Sequence, residues 1–157
     1  MKRRAVLVAL GLLLAGCAGG GGAQTVHVVR HFDTPKGVQD AELTAQGQAR
    51  AEALVRWFAG KPLDAIFVTP FRRSRQTIAP LAAAQGIVPV VYDWEQQAAA
   101  VARIRAGGGA VLVVGHSNTV PDLVEALGGV RPPDMVHEDF GGIWTVGAGE
   151  TVKGVVE

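Results

Sequence analysis

Val28-Val29-Arg30-His31 ends an apolar run, Val26 to Val29, abruptly with a cation and an imidazole. A second run ends the same way, in Val111-Leu112-Val113-Val114-Gly115-His116. A third, Ala65 to Val68, passes through Thr69-Pro70 into Arg72-Arg73. Short apolar runs bounded by turn residues read as buried strands. Three strands thus deliver Arg30, His31, Arg73 and His116 just past their C-terminal ends. In open α/β sheets, ligands sit in the crevice beyond those ends. Two arginines and two histidines gathered there suit a phosphate, because guanidinium forks match its oxygens bidentately.

Helical patterns separate the strands. Thr44 is placed to cap a helix in which Ala51, Leu54, Val55 and Phe58 form one core-facing stripe, and Gly60 and Pro62 end it. A second helix is predicted from Arg72 to Gln85, stopped by Gly86. Ile87 to Tyr92 is strand-like, with Pro89 pushing it toward an edge. Another helix covers Trp94 to Ala106, and Asn118 is placed to cap one running to Leu127 with Pro121 in its first turn. Two further strands, near Ile143 to Val146 and Val152 to Val156, are read as antiparallel additions. Strands alternating with helices predict an α/β fold, a three-layer sandwich around a mostly parallel central sheet.

The N-terminus reads differently. Lys2-Arg3-Arg4, the apolar stretch Ala5 to Leu14 and a small-residue end form a secretory signal over residues 1–16. Leu14-Ala15-Gly16-Cys17 resembles a bacterial lipobox, which implies a lipidated Cys17. Gly19-Gly20-Gly21-Gly22 is a flexible linker, so residues 17–23 join the lipid to a domain over residues 24–157. Acyl chains would hold the protein on a membrane as an anchor rather than a span. Ala18 resembles the outer-membrane sorting class, so the expected location is the bacterial cell envelope, at the outer membrane facing the periplasm.

Composition excludes several classes. Apolar residues make up 48% of the 157 and charged ones 18%, a globular balance. The formal charge is +1, but setting aside Lys2, Arg3 and Arg4 leaves 12 basic against 14 acidic residues. No basic field remains for nucleic acid. A single cysteine, Cys17, rules out an internal disulfide and a Cys-based zinc site. No HExxH spacing, no Gly-x-Gly-x-x-Gly after the first strand and no GK[ST] occur, so neither a metal site nor a nucleotide cradle is expected. Ser74 and Ser117 lack the Gly-x-Ser-x-Gly elbow of serine hydrolases.

Val28-Val29-Arg30-His31-Phe32-Asp33-Thr34 resembles the Arg-His-Gly motif of the histidine phosphatase (phosphoglycerate mutase-like) superfamily. Thr69-Pro70-Phe71-Arg72-Arg73-Ser74-Arg75-Gln76-Thr77 is similar to its Ser-x-Leu-x-Arg-Ala-x-Gln-Thr segment, with Arg73 as the second arginine. Val114-Gly115-His116-Ser117-Asn118-Thr119 resembles its second-histidine motif, and Leu43-Thr44-x-x-Gly47 its first helix start. The matches fall in the family's order over residues 25–127. The likeness is closest to short bacterial members carrying Gly-His-Ser-Asn-Thr-Val-Pro, several of them lipoproteins.

This resemblance implies a phosphoglycerate mutase-like fold and a metal-independent, cofactor-free phosphatase. His31 would become phosphohistidine, which water then hydrolyses. Arg30 and Arg73 would hold the phosphoryl group, His116 would donate to its oxygens, and Ser117 and Asn118 would help bind it. Flanking arginines would keep the His31 imidazole neutral. The substrate would be a small phosphomonoester or a phosphoprotein. The short interval between Arg73 and His116 leaves little room for a substrate cap, which favours an open site and hydrolysis over mutase work. The chain departs from the family in two places. Phe32 stands where Gly or Ala is usual; it either packs in the core, the favoured reading, or rims the pocket. The family's acid has no motif here; Glu95 is the best-placed candidate, with Asp33 and Asp139 behind it, while His27 and His137 read as structural or surface residues. These departures support the alternative, a non-catalytic envelope lipoprotein that binds phosphorylated or anionic ligands.

Overall fold

In the computed structural model, which describes residues 23–157, six strands form one sheet. The strands are β1 (Thr25–Arg30), β2 (Ala65–Val68), β3 (Val90–Val91), β4 (Ala110–Gly115), β5 (Gly142–Gly147) and β6 (Glu150–Val155). Their order across the sheet is β3-β2-β4-β1-β5-β6. The first four are parallel, while β5 runs antiparallel to β1 and β6 to β5. The signal, Cys17 and the linker to Gly22 lie outside the described residues.

Period-2 alternation sorts the side chains into two cores. Val29, Ile66, Val68, Leu112, Val114 and Ile143 pack under α1 (Ala45–Trp57) and α2 (Arg72–Gln85). Their neighbours Val28, Phe67, Val111, Val113 and Trp144 face α3 (Gln97–Gly107) and α4 (Val120–Ala126). Helices therefore cover both faces, giving the mixed α/β three-layer sandwich. Phe32 is fully buried in the α1/α2 core. The helix stripe is turned slightly from the expected one: Ala53 is buried beside Ala51, Leu54 and Phe58, and Val55 is only half-buried.

Three boundaries differ from expectation, each for a local reason. β3 has two residues rather than six. Gly86, at φ +67, reverses the chain so that the Ile87 amide donates back to the Ala82 carbonyl, and Pro89 has no amide to pair. The helix expected from Trp94 opens as a 3₁₀ turn, Trp94–Gln96, with the Asp93 side chain accepting from the Glu95 amide. Asn118 does not cap α4. The Thr119 and Val120 amides both turn back to the His116 carbonyl, so the helix begins at Val120 and Asn118 stays exposed in the turn.

Candidate active site

β2, β4 and β1 are consecutive in the sheet, so their C-terminal ends open onto one crevice. It holds His31, Arg73 and His116, with Arg30 beside them. His31 and His116 are 5% and 6% exposed, and their ring centroids are 5.3 Å apart.

His31 is held by both its main chain and its ring. Its amide donates to the Gly115 carbonyl at 3.0 Å, continuing the β1–β4 ladder. Its Nδ1 lies 2.9 Å from the Phe32 carbonyl. A carbonyl only accepts, so the neutral ring carries its proton on Nδ1 and its lone pair on Nε2. Burial above all pushes the His31 imidazole down to about 3. The Phe32 bond opposes this, and His116, Arg30 and Arg73 add to it. The arginines expected to keep this ring neutral are therefore secondary to desolvation.

His116 is fixed by two buried hydroxyls. Thr69 Oγ1 donates to Ser74 Oγ at 2.7 Å and lies 3.0 Å from His116 Nε2. With the Thr69 proton committed to Ser74, His116 Nε2–H must be the donor to Thr69. Nδ1 then offers its lone pair to Arg73 Nη2, 3.5 Å away. Burial, then Arg73 and Arg30, lowers the His116 imidazole to about 4. In its neutral form His116 orients Arg73; it donates to a phosphoryl oxygen only as imidazolium, which an arriving dianion favours.

Arg73 also stacks on Phe71, its guanidinium carbon 4.4 Å from the ring centroid. Arg30 is more constrained than expected. Its Nη1 donates to the carbonyls of Val136, His137 and Asp139 at 2.8–3.1 Å, and its guanidinium lies 4.0 Å over the Phe140 ring. That edge clamps the loop before β5. Its Nε is buried without a partner among the described residues, an orphaned donor that an anion in the crevice would satisfy.

Ser117, Asn118 and Trp94 line the same crevice with His31, Phe71, Arg73 and His116. None of the three acid candidates reaches it. Glu95 is exposed beside Trp94. Both Asp33 oxygens are 2.5 Å from Arg50 Nη1. Asp139 Oδ2 accepts from the Val136 amide at 2.7 Å. Sequence reading missed the loop from Thr34 to Asp40, and Phe71, Trp94 and His137, in the cleft wall. His137, read as structural or surface, is also held there, with Nε2 3.2 Å from the Thr34 carbonyl. Phe71, inside the arginine motif, carried a signal that could have marked it.

The family model for the histidine phosphatase superfamily (branch 1) matches residues 24–97, from β1 to the start of α3, including Arg30, His31 and Arg73. Solved structures share the fold. The protein histidine phosphatase SixA, complexed with tungstate, is 20% identical over 83% of this chain and 94% of its own, with a TM-score of 0.62. The mycobacterial glucosyl-3-phosphoglycerate phosphatase is 16% identical over 79% of this chain and 90% of its own, at 0.63. The phosphoserine phosphatase of Entamoeba histolytica, in complex with 3-phosphoglyceric acid, is 15% identical over 77% and 89%, at 0.57. No curated protein sequence matches the chain. The family match, which takes in the first histidine and both arginines, and a fold shared over most of each neighbour's length make this chain similar to the histidine phosphatase superfamily.

Proposed function

We propose that this chain is a phosphatase that hydrolyses a phosphomonoester or a phosphoprotein through a phosphohistidine on His31. One observation carries the reading. A buried, neutral imidazole has its Nδ1 tied to the Phe32 carbonyl and its Nε2 lone pair left for the crevice that Arg73, Arg30 and His116 line. A lone pair beside fixed positive charge attacks phosphorus rather than taking a proton. Arg73 and the free edge of Arg30 hold the phosphoryl oxygens, and His116 as imidazolium meets the charge that develops on them. Arg30, Arg73 and His116 supply the charge in this scheme, so no metal or cofactor enters it. Phe32 is packed in the core and so does not obstruct the site. The interval between Arg73 and His116 holds only the rest of α2, β3, the 3₁₀ turn, α3 and β4, which supports an open mouth able to admit a phosphoprotein. The fold shared with a protein histidine phosphatase favours the same arm.

The test is a rapid-quench experiment with a phosphorus-labelled substrate. Label on the wild-type chain should survive base and be lost in acid, and His31→Ala should abolish both label and turnover. Label that persists in His31→Ala removes His31 from the role. A wild-type chain that binds phosphorylated ligands but neither labels nor turns over is the non-catalytic alternative.

The site would work at a membrane surface. The lipobox at Cys17 and the glycine run behind it support a lipid-anchored protein of the bacterial envelope, with Ala18 favouring the outer membrane. Cys17→Ser should leave the membrane fraction or retain its signal; a variant that matures and fractionates like the wild type refutes the anchor.

A further inference from the structure

An ester oxygen that departs from phosphorus needs a proton, and Glu95, Asp33 and Asp139 are not in the wall of the crevice. Asp40 is. Among the described residues it is the only carboxylate in the cleft wall beside Arg30, His31 and Arg73. Its Oδ1 accepts from the Arg72 amide at 2.9 Å and lies 3.9 Å from Arg73 Nη1. The carboxylate is thereby fixed at the first turn of α2, next to the guanidinium that would hold the phosphoryl group. Neither contact uses Oδ2. The backbone of Asp40 is also held at φ +44, a left-handed conformation uncommon outside glycine. Residues kept in such conformations cluster at active sites, where surrounding structure over-determines them.

We propose that Asp40 is the proton donor to the leaving group, an inference that rests on His31 as the nucleophile. The His31 Nε2 lone pair forms the P–N bond as the P–O bond to the leaving group breaks. The electron pair of that bond stays on the departing oxygen, which takes the proton from Asp40 Oδ2. The alcohol leaves and Asp40 remains as carboxylate. Water then attacks phosphorus and gives a proton back to Asp40, and the P–N electron pair returns to Nε2. The proton first enters with the substrate: a phosphoryl dianion beside a carboxylate is a like-charge pair, and one proton between them relieves it.

The competing role is structural, since Asp40 also caps α2 and orients Arg73. Leaving-group dependence separates the two. Asp40→Asn keeps an oxygen for the Arg72 amide and tolerates a positive φ, but has no acidic proton. Asp40→Gly suits the backbone and removes the cap as well. The readout is kcat/KM for the full chain with phenyl phosphates that differ only in their ring substituents. A dinitrophenolate leaves without a proton; an unsubstituted phenolate needs one. Asp40→Asn should lose about 10²–10⁴-fold on phenyl phosphate, the usual contribution of general acid catalysis, and little on dinitrophenyl phosphate. Asp40→Gly should show the same steepened dependence. An equal loss across the series makes Asp40 a positioning residue and overturns the proposal, as does no loss at all. If the wild-type chain turns over no ester in the series, the phosphomonoester arm of that reading fails and the proposal with it. If only the leaving-group dependence is missing, the phosphatase reading stands and Asp40 alone is displaced.

Discussion

Arg72 and Arg73 are identical side chains on adjacent residues of one helix turn, yet they face different surroundings. Arg72 is more than half exposed and pairs with Glu42 on the surface. Arg73 is largely covered, stacks on Phe71 and reaches His116 Nδ1. Arg73→Ala removes one partner of a desolvated charge cluster and should lose about 2–5 kcal/mol of transition-state stabilisation, roughly 30- to 5,000-fold in kcat/KM. Arg72→Ala should stay within about 0.5 kcal/mol, as surface substitutions do. Steady-state kinetics on both variants checks the register, and equal losses would show it misassigned. That register was legible because it rests on residue order within one helix. Asp40 and His137 were not, because they arrive on loops whose course through space leaves no periodic trace. Arg30 was half legible: its cationic end was placed at the crevice, but the three carbonyls that hold its Nη1 come from more than a hundred residues downstream.

At the scale of elements, the motif residues with no chemistry turn out to be joints. Thr77 Oγ1 accepts from the Phe32 amide at 2.9 Å and donates to the Arg73 carbonyl at 2.8 Å, so one hydroxyl ties the end of β1 to the first turns of α2. Gln76 Oε1 accepts from the Leu43 amide, linking α2 to the entry of α1. Thr44 caps α1 through the Gly47 amide while its own amide holds the Asp33 carbonyl. A Cβ on Gly47 would come within 2.5 Å of that same carbonyl, so only glycine lets α1 start against the β1–α1 loop. These joints set the distance between His31 and Arg73. The core helices and strands were readable because burial of an apolar stripe or alternation writes itself into sequence. The start of α4 was misplaced because two competing turn residues, Asn118 and Thr119, sit side by side. Tertiary packing chose Thr119, whose Oγ1 accepts from the His116 amide inside the core.

For the whole molecule, holding neutral histidines inside the fold has a thermodynamic consequence. His31 and His116 are pushed down to about 3 and about 4, and burial, with Lys61 adding to it, lowers His27 as well. In the unfolded chain each should titrate near 6.5. Between those values the unfolded state binds more protons than the folded one, so stability rises with pH across that window. The contribution is complete above about 6.5, the unfolded value, and is lost as pH falls toward the folded values near 3 and 4. Depressed carboxylates act in the same direction on acidification, so the histidine share must be isolated by substitution. Urea midpoints measured from pH 8 to pH 4 should be flat at first and then fall below about 6.5. A His31→Asn/His116→Asn variant cannot take up those two protons. Whatever its stability at pH 8, its midpoint should decline less steeply between pH 6.5 and pH 4 than that of the wild type. Parallel curves would mean that the folded rings take up protons as readily as the unfolded ones, so that burial does not hold His31 neutral.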